Sequence, residues 1–86
     1  MEKTLYQTKD LSEAALLYAK HKRIVKLNKD NGRIWFLFED KNGCEGLSEA
    51  YWRKELDVNA REFVDAMRAM KDIVFNHKRE EGALTR

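Results

Sequence analysis

The chain has 86 residues, 43 % hydrophobic and 37 % charged, and carries a formal net charge of +2 at neutral pH. These 86 residues fit one domain without a second, and the mixture of apolar and charged residues excludes global disorder. A single cysteine, Cys44, with His21 and His77 excludes an intramolecular disulfide and a closed thiolate–imidazole zinc cage within one copy, and no apolar run approaches the ~20 residues of a membrane span.

Thr4-Leu5-Tyr6-Gln7-Thr8 is rich in β-branched and aromatic residues and is predicted as a short strand. Asp10 followed by Glu13 has the spacing of a capping box, with Asp10 as the N-cap. Leu11, Ala14, Ala15 and Tyr18 recur at helical spacing, with Leu17 and His21 beside them, which predicts a helix over 11–21. Ile24 to Lys29 and Arg33 to Glu39 are strand-like runs joined around Asn31-Gly32, a dipeptide suited to a type I′ turn because both positions need positive φ.

A two-residue turn fixes the hairpin register: Asp30 faces Arg33, Leu27 faces Phe36 and Val25 faces Phe38. Val25, Leu27, Ile34, Phe36 and Phe38 then form the core face, while Ile24, Lys26, Asn28, Arg33, Trp35 and Leu37 occupy the other. Ile34 to Phe38 is apolar on both faces and is therefore placed at the centre of the sheet.

Glu39 to Gly43 is read as a polar turn and Gly46 as a further break, followed by a short helix over 46–55 carrying Leu47, Ala50 and Tyr51. Asn59 and Glu62 form a second capping-box-like pair. It opens a long helix with Ala60, Phe63, Met67, Met70, Val74 and His77 on one stripe, widened by Val64 and Ile73. After Asn76 the chain turns polar and is expected to fray. The expected architecture is α+β, in the layout β-α-β-β-α-α. It has three helices and a three-stranded antiparallel sheet of order 1-3-2 over residues 1–77, with a polar tail over 78–86.

The charge is unevenly placed. Residues 1–38 carry eight Lys/Arg against four Asp/Glu, residues 39–57 three against six, and residues 58–86 six against five. Such a polarised surface does not by itself force polyanion binding. Cys44 lies between glycines with neither histidine near it in sequence, and both histidines fall at helix ends where a cation complements the dipole. Glu39, Asp40 and Glu45 lack the order of a calcium loop and read as a solvated turn. The four glycines form no phosphate loop. The expectation is a protein that is not an enzyme and needs no metal or cofactor.

Two surfaces remain. Tyr51-Trp52-Arg53 brings together residue types enriched at binding hot spots; with Tyr51 inward, Trp52 points partly outward. This set is the expected protein-binding site. The alternative is nucleic-acid or nucleotide binding, with Trp35 as a stacking platform, Lys26 and Arg33 beside it, and Lys20, Lys22 and Arg23 as an adjoining basic cluster. A dimeric structural accessory protein is a third reading, since a homodimer would hide apolar area that so small a chain leaves exposed.

Tyr6-x-Thr8-x-Asp10-Leu11 with Ala14-Ala15, Phe36-x-Phe38-Glu39-Asp40, and Tyr51-Trp52 before a final long helix together resemble a small uncharacterised family of bacterial and phage domains, a domain of unknown function. The likeness covers residues 4–76 and carries no catalytic residues across. Cys44-Glu45-Gly46 departs from the more continuous acidic helix start expected at that place. The resemblance implies a phage or mobile-element protein that occupies a host protein, for instance as an inhibitor of a host defence effector. With no disulfide, signal-peptide pattern or membrane span, the expected location is cytoplasmic.

Overall fold

The structure is a computed structural model that describes residues 4–84, with side chains for 4–77. The chain runs β1 (Tyr6–Thr8), α1 (Leu11–Ala19), β2 (Ile24–Asp30), β3 (Arg33–Phe38), α2 (Lys41–Trp52) and α3 (Ala60–Leu84). The strands form one antiparallel sheet of order β1-β3-β2, so the fold is α+β with the expected layout and strand order. Asn31 and Gly32 take φ of 52° and 78°, the type I′ geometry. Asp30 pairs with Arg33, and Leu27 with Phe36, as a two-residue turn requires.

The register breaks at the far end of the hairpin. Ile24 pairs with Phe38 and Lys26 with Leu37, so Val25 is the extra residue of a β-bulge. Val25 was expected on the core face opposite Phe38; it is instead 47 % exposed, and Ile24 packs against the core in its place. Both residues are apolar and β-branched, so burial of either satisfies the core and the bulge decides between them.

The core joins Ala14, Ala15, Leu17 and Ala19 of α1, Phe36 and Phe38 of β3, Cys44 of α2, and Ala66 and Met70 of α3. Its other sheet members are Tyr6, Ile24 and Leu27, all on the same face. The helices therefore cover one face of the sheet. Helix α1 packs against α3, α2 and β1, which explains five consecutive buried residues, Glu13 to Leu17. On α3, Phe63, Met67, Ile73 and Val74 face this core, joined by Ala66 and Ala69. Val64, expected inside, is exposed.

Helix ends differ most from the sequence expectation. Helix α1 stops at Ala19 rather than 21, because His21 takes a left-handed φ of 69°. The N–H of His21 donates to the Tyr18 carbonyl and that of Lys22 to the Leu17 carbonyl, the pair that defines a Schellman cap. Lys54, with φ 62°, closes α2 in the same way through Lys54→Tyr51 and Glu55→Ala50 bonds. Helix α2 occupies Lys41–Trp52 rather than 46–55: the supposed polar turn is its cap and first turn, with Asp40 accepting the Gly43 N–H at 3.1 Å. Helix α3 begins behind Asn59, whose side chain accepts the Glu62 N–H at 3.0 Å. It continues to Leu84, past Asn76 and through the first part of the polar 78–86 stretch; residues 85–86 lie outside the described ones.

Candidate functional site

Trp52 is the last residue of α2 and stands 59 % exposed. Tyr51, one position back, is half-buried and meets the indole edge-on, with ring centroids 5.0 Å apart at 68°. Arg53, the C-cap, reaches back one turn to Glu49 at 2.8 Å. Glu45, Glu49 and Trp52 follow helical spacing on the solvent side of α2, and all three are exposed. The three residues expected to form a protein-binding surface are thus contiguous, with the indole and Arg53 both exposed and carboxylates beside them.

The second expected surface divides. Lys26, Arg33 and Trp35 lie on the sheet face that carries no helix, with Lys26 and Arg33 exposed and Trp35 half-buried. Lys9 also belongs here: its ammonium sits 5.6 Å from the Trp35 ring centroid, a cation–π contact. Lys20, Lys22 and Arg23 lie at the opposite end of the sheet, where the Glu39 N–H donates to the Arg23 carbonyl, about 20 Å from Arg33 at ~3.3 Å per strand residue. Lys22 is engaged by Asp40 at 2.7 Å. That contact holds the Asp40 carboxyl below its ordinary pKa, with help from the Gly43 N–H, and raises that of Lys22. The basic residues read along the chain are therefore spread along the length of the sheet, with Lys26 between Arg23 and Arg33.

A polar centre joins β1, α1 and α2. Glu13 is 5 % exposed and accepts hydrogen bonds from the Tyr6 hydroxyl at 2.6 Å, from Thr8 Oγ1 at 2.5 Å and from Ser48 Oγ. Thr8 Oγ1 also accepts the Asp10 N–H at 3.1 Å, while Asp10 Oδ1 accepts the Glu13 N–H at 2.8 Å. The expected capping box is thus half direct and half relayed: the Thr8 hydroxyl stands between the Glu13 carboxylate and the N–H it would otherwise bond. Burial, and next the bond to Glu13, push the Tyr6 hydroxyl above its ordinary pKa. Tyr6 and Thr8 share a strand face and Glu13 follows at the third helical position. Ser48 is distant in sequence, so the complete centre had no local signal.

Cys44 is fully buried, its thiol directed at the Glu39 carbonyl at 3.5 Å. Burial raises its pKa, and its electrostatic neighbours are Lys22, Asp40 and Glu13 rather than a histidine. A buried protonated thiol of this kind is a poor nucleophile. Among the described residues no three His, Cys, Asp or Glu side chains are grouped as a metal would need, and no helix is long and apolar enough to cross a membrane.

The features that stand out are therefore surfaces, on a small α+β domain with its helices on one side of the sheet. The chain matches the family model described as Domain of unknown function (DUF5659) over residues 3–76, and it belongs to that family. No curated protein and no solved structure matches it.

Proposed function

We propose that this domain is a small non-enzymatic protein-binding module that docks through Trp52, flanked by Tyr51 and Arg53. The exposure of Trp52 carries the reading. An indole 59 % exposed offers about 150 Å² to a partner, a gross gain of about 3–4 kcal/mol at ~25 cal/mol per Å² before ordering costs. Trp and Arg are the residue types over-represented at such anchors, and Tyr51 limits the rotamers that docking must freeze. The sequence resemblance, which implies a phage or mobile-element protein, favours a host protein as the partner, with inhibition of a defence effector as the consequence.

Tagged wild-type protein and Trp52→Ala, matched for folding by circular dichroism and thermal melting, test the proposal as baits in host lysate. A partner retained by the wild type and lost at least tenfold with the variant supports it. Identical capture by both, or an unfolded variant, removes Trp52 from the role.

A second reading, nucleic-acid binding, draws on Lys9, Lys26, Arg33 and Trp35 sharing the helix-free sheet face. Two observations weaken it: the Lys9 ammonium lies over the ring that would stack on a base, and Lys22 is already neutralised by Asp40. Absence of affinity for labelled single-stranded and duplex oligonucleotides at low salt would end it.

A further inference from the structure

The sheet is incomplete beside the start of β3. β1 pairs with β3 at Tyr6–Phe38, Gln7–Leu37 and Thr8–Phe36, so Arg33, Ile34 and Trp35 have β2 on one side and, among the described residues, no strand on the other. In a two-residue hairpin the residues flanking the turn form a hydrogen-bonded pair, and such pairs alternate along the ladder. Asp30–Arg33 is that first pair, so Arg33, Trp35 and Leu37 direct their backbone groups to β2. The Glu39 N–H, bonded to the Arg23 carbonyl, keeps the same phase. Ile34, Phe36 and Phe38 direct theirs the other way. Phe36 and Phe38 meet Thr8 and Tyr6; Ile34 meets no strand among the described residues.

The residue that would continue β1 opposite Ile34 is Asp10, and both of its backbone groups are committed elsewhere. Its N–H goes to Thr8 Oγ1 and its carbonyl accepts the Ala14 N–H. Outside the strand ladders, no hydrogen bond of the Ile34 N–H or carbonyl is found among the described residues, and the β1–β3 ladder stops at Thr8–Phe36. A buried backbone pair without partners is uncommon, and water or a ligand normally answers it. Here the gap opens into a groove of about 570 Å³ whose apolar wall is Leu11, Ile34, Phe36 and Val74 and whose rim carries Lys9 and Arg33. Arg33 has no ion-pair partner among the described residues. Asp10 also lines the groove, but its carboxylate is held by the Glu13 N–H and the Ser12 hydroxyl.

We infer that this groove is a strand-addition slot: a short extended peptide of a partner protein, alternating apolar and acidic side chains, extends the line of β1 along β3 and bonds the Ile34 backbone. Its apolar side chains face Leu11, Phe36 and Val74, and its carboxylates meet Lys9 and Arg33. Edge pairing supplies affinity through the main chain, while pockets for alternate side chains supply specificity. The long outer edge of β2 is less suited to the role, since its bulge at Val25 and its lysines 26 and 29 disfavour further pairing. The slot uses none of the residues around Trp52 and stands apart from that surface.

The probe is a blocked, fluorescein-labelled hexapeptide of alternating valine and glutamate, with a lysine-for-glutamate counterpart and a counterpart N-methylated on its backbone. In the free protein the Ile34 amide should exchange with solvent at least about tenfold faster than those of Phe36 and Trp35, and saturating glutamate peptide should slow it. The lysine peptide and the N-methylated peptide should each bind about tenfold more weakly, and the Lys9→Ala/Arg33→Ala double variant should lose a similar factor with its melting temperature unchanged. Trp52→Ala should bind the peptide like the wild type, which separates failure here from failure of the Trp52 proposal. An Ile34 amide already as slow as that of Phe36 would overturn the inference. So would indifference to peptide charge, displacement of the peptide by oligothymidylate, or concentration-dependent protection of Ile34 without peptide, which would place a second copy in the slot.

Discussion

Replacing Glu13 tests whether the buried polar centre holds three elements together. Its carboxylate is nearly inaccessible, receives three hydroxyl donors and has no ion-pair partner among the described residues. Hydrogen bonds to a charged acceptor are each worth about 1.5–3 kcal/mol, and desolvating the carboxylate costs several kcal/mol. The centre contributes little net relative to an apolar substitute, yet losing only its acceptor is expensive. In Glu13→Ala the Tyr6 hydroxyl keeps Ser48 Oγ, already 3.0 Å away. The Thr8 hydroxyl and one further donor are stranded, at about 1–3 kcal/mol each.

The expected loss for Glu13→Ala is therefore about 3–5 kcal/mol, a large part of the roughly 4–13 kcal/mol available to a chain of this length. Glu13→Gln keeps the volume and one acceptor and should lose about 1–2 kcal/mol. Urea titration followed by tryptophan fluorescence measures both, with unchanged slopes confirming comparable unfolding. A loss below about 1 kcal/mol for the alanine variant would refute the reasoning. A second check is a double-mutant cycle of Tyr6→Phe with Ser48→Ala, which should show coupling of at least about 0.5 kcal/mol because both hydroxyls share one acceptor.

Three further outcomes follow from backbone and charge. His21→Gly and Lys54→Gly should each stabilise the fold by about 0.5–1 kcal/mol, since both positions hold a left-handed conformation that glycine adopts without a Cβ clash; paired chemical melts measure this. Gly43→Ala should destabilise, because its Cβ would collide with the Asp40 carboxylate and approach Lys22 Nζ, whereas Gly46→Ala meets nothing within 4 Å and should gain about 0.5–1 kcal/mol from better helix propensity. The depressed folded-state pKa of Asp40 means that its contribution is present above the unfolded carboxylate value of about 3.9 and disappears as pH falls through the folded value. The raised pKa of Lys22 makes its contribution full below about 10.4 and lost as pH rises through its folded value. Asp40→Asn should therefore flatten both limbs of a stability–pH profile, and an unchanged profile would sever the link to this ion pair.

Features of the fold written in adjacent residues were legible in advance. Asn31-Gly32 dictated the turn and Ile34 to Phe38, apolar on both faces, marked the central strand. The Asp10/Glu13 and Asn59/Glu62 spacings located two helix starts. What escaped depends on choices among near-equals or on distant partners. Ile24 and Val25 are chemically alike, so the alternation alone could not place the bulge. Gly43 and Gly46 imitate a loop, and the left-handed Asp40 cap that makes them helical has no simple signature. The basic run from Lys20 to Arg33 looks continuous along the chain, but it passes through a bound Lys22 and then along a strand that carries its members apart. Tyr51 and Trp52 were legible as a candidate surface because neighbours on a helix diverge by about 100°, so that with Tyr51 turned inward Trp52 points partly outward.

The residues that carry the family likeness bear on function by a process of assignment. Tyr6 and Thr8 hold Glu13, Asp10 caps α1, and Ala14 and Ala15 lie in the core. Phe36 and Phe38 fill the core from β3, and Asp40 caps α2 while holding Lys22. Tyr51 braces the neighbouring indole. Each has a structural task that would explain its presence in any protein with this fold. Trp52 has none of comparable weight: it exposes most of an expensive side chain at the end of a helix already closed by its own cap. An exposed Trp contributes little to folding, and this is the ground for proposing that Trp52 serves in a bound state. The Ile34 backbone, with no strand beside it on that side among the described residues, is in the same way the ground for the proposed strand-addition slot.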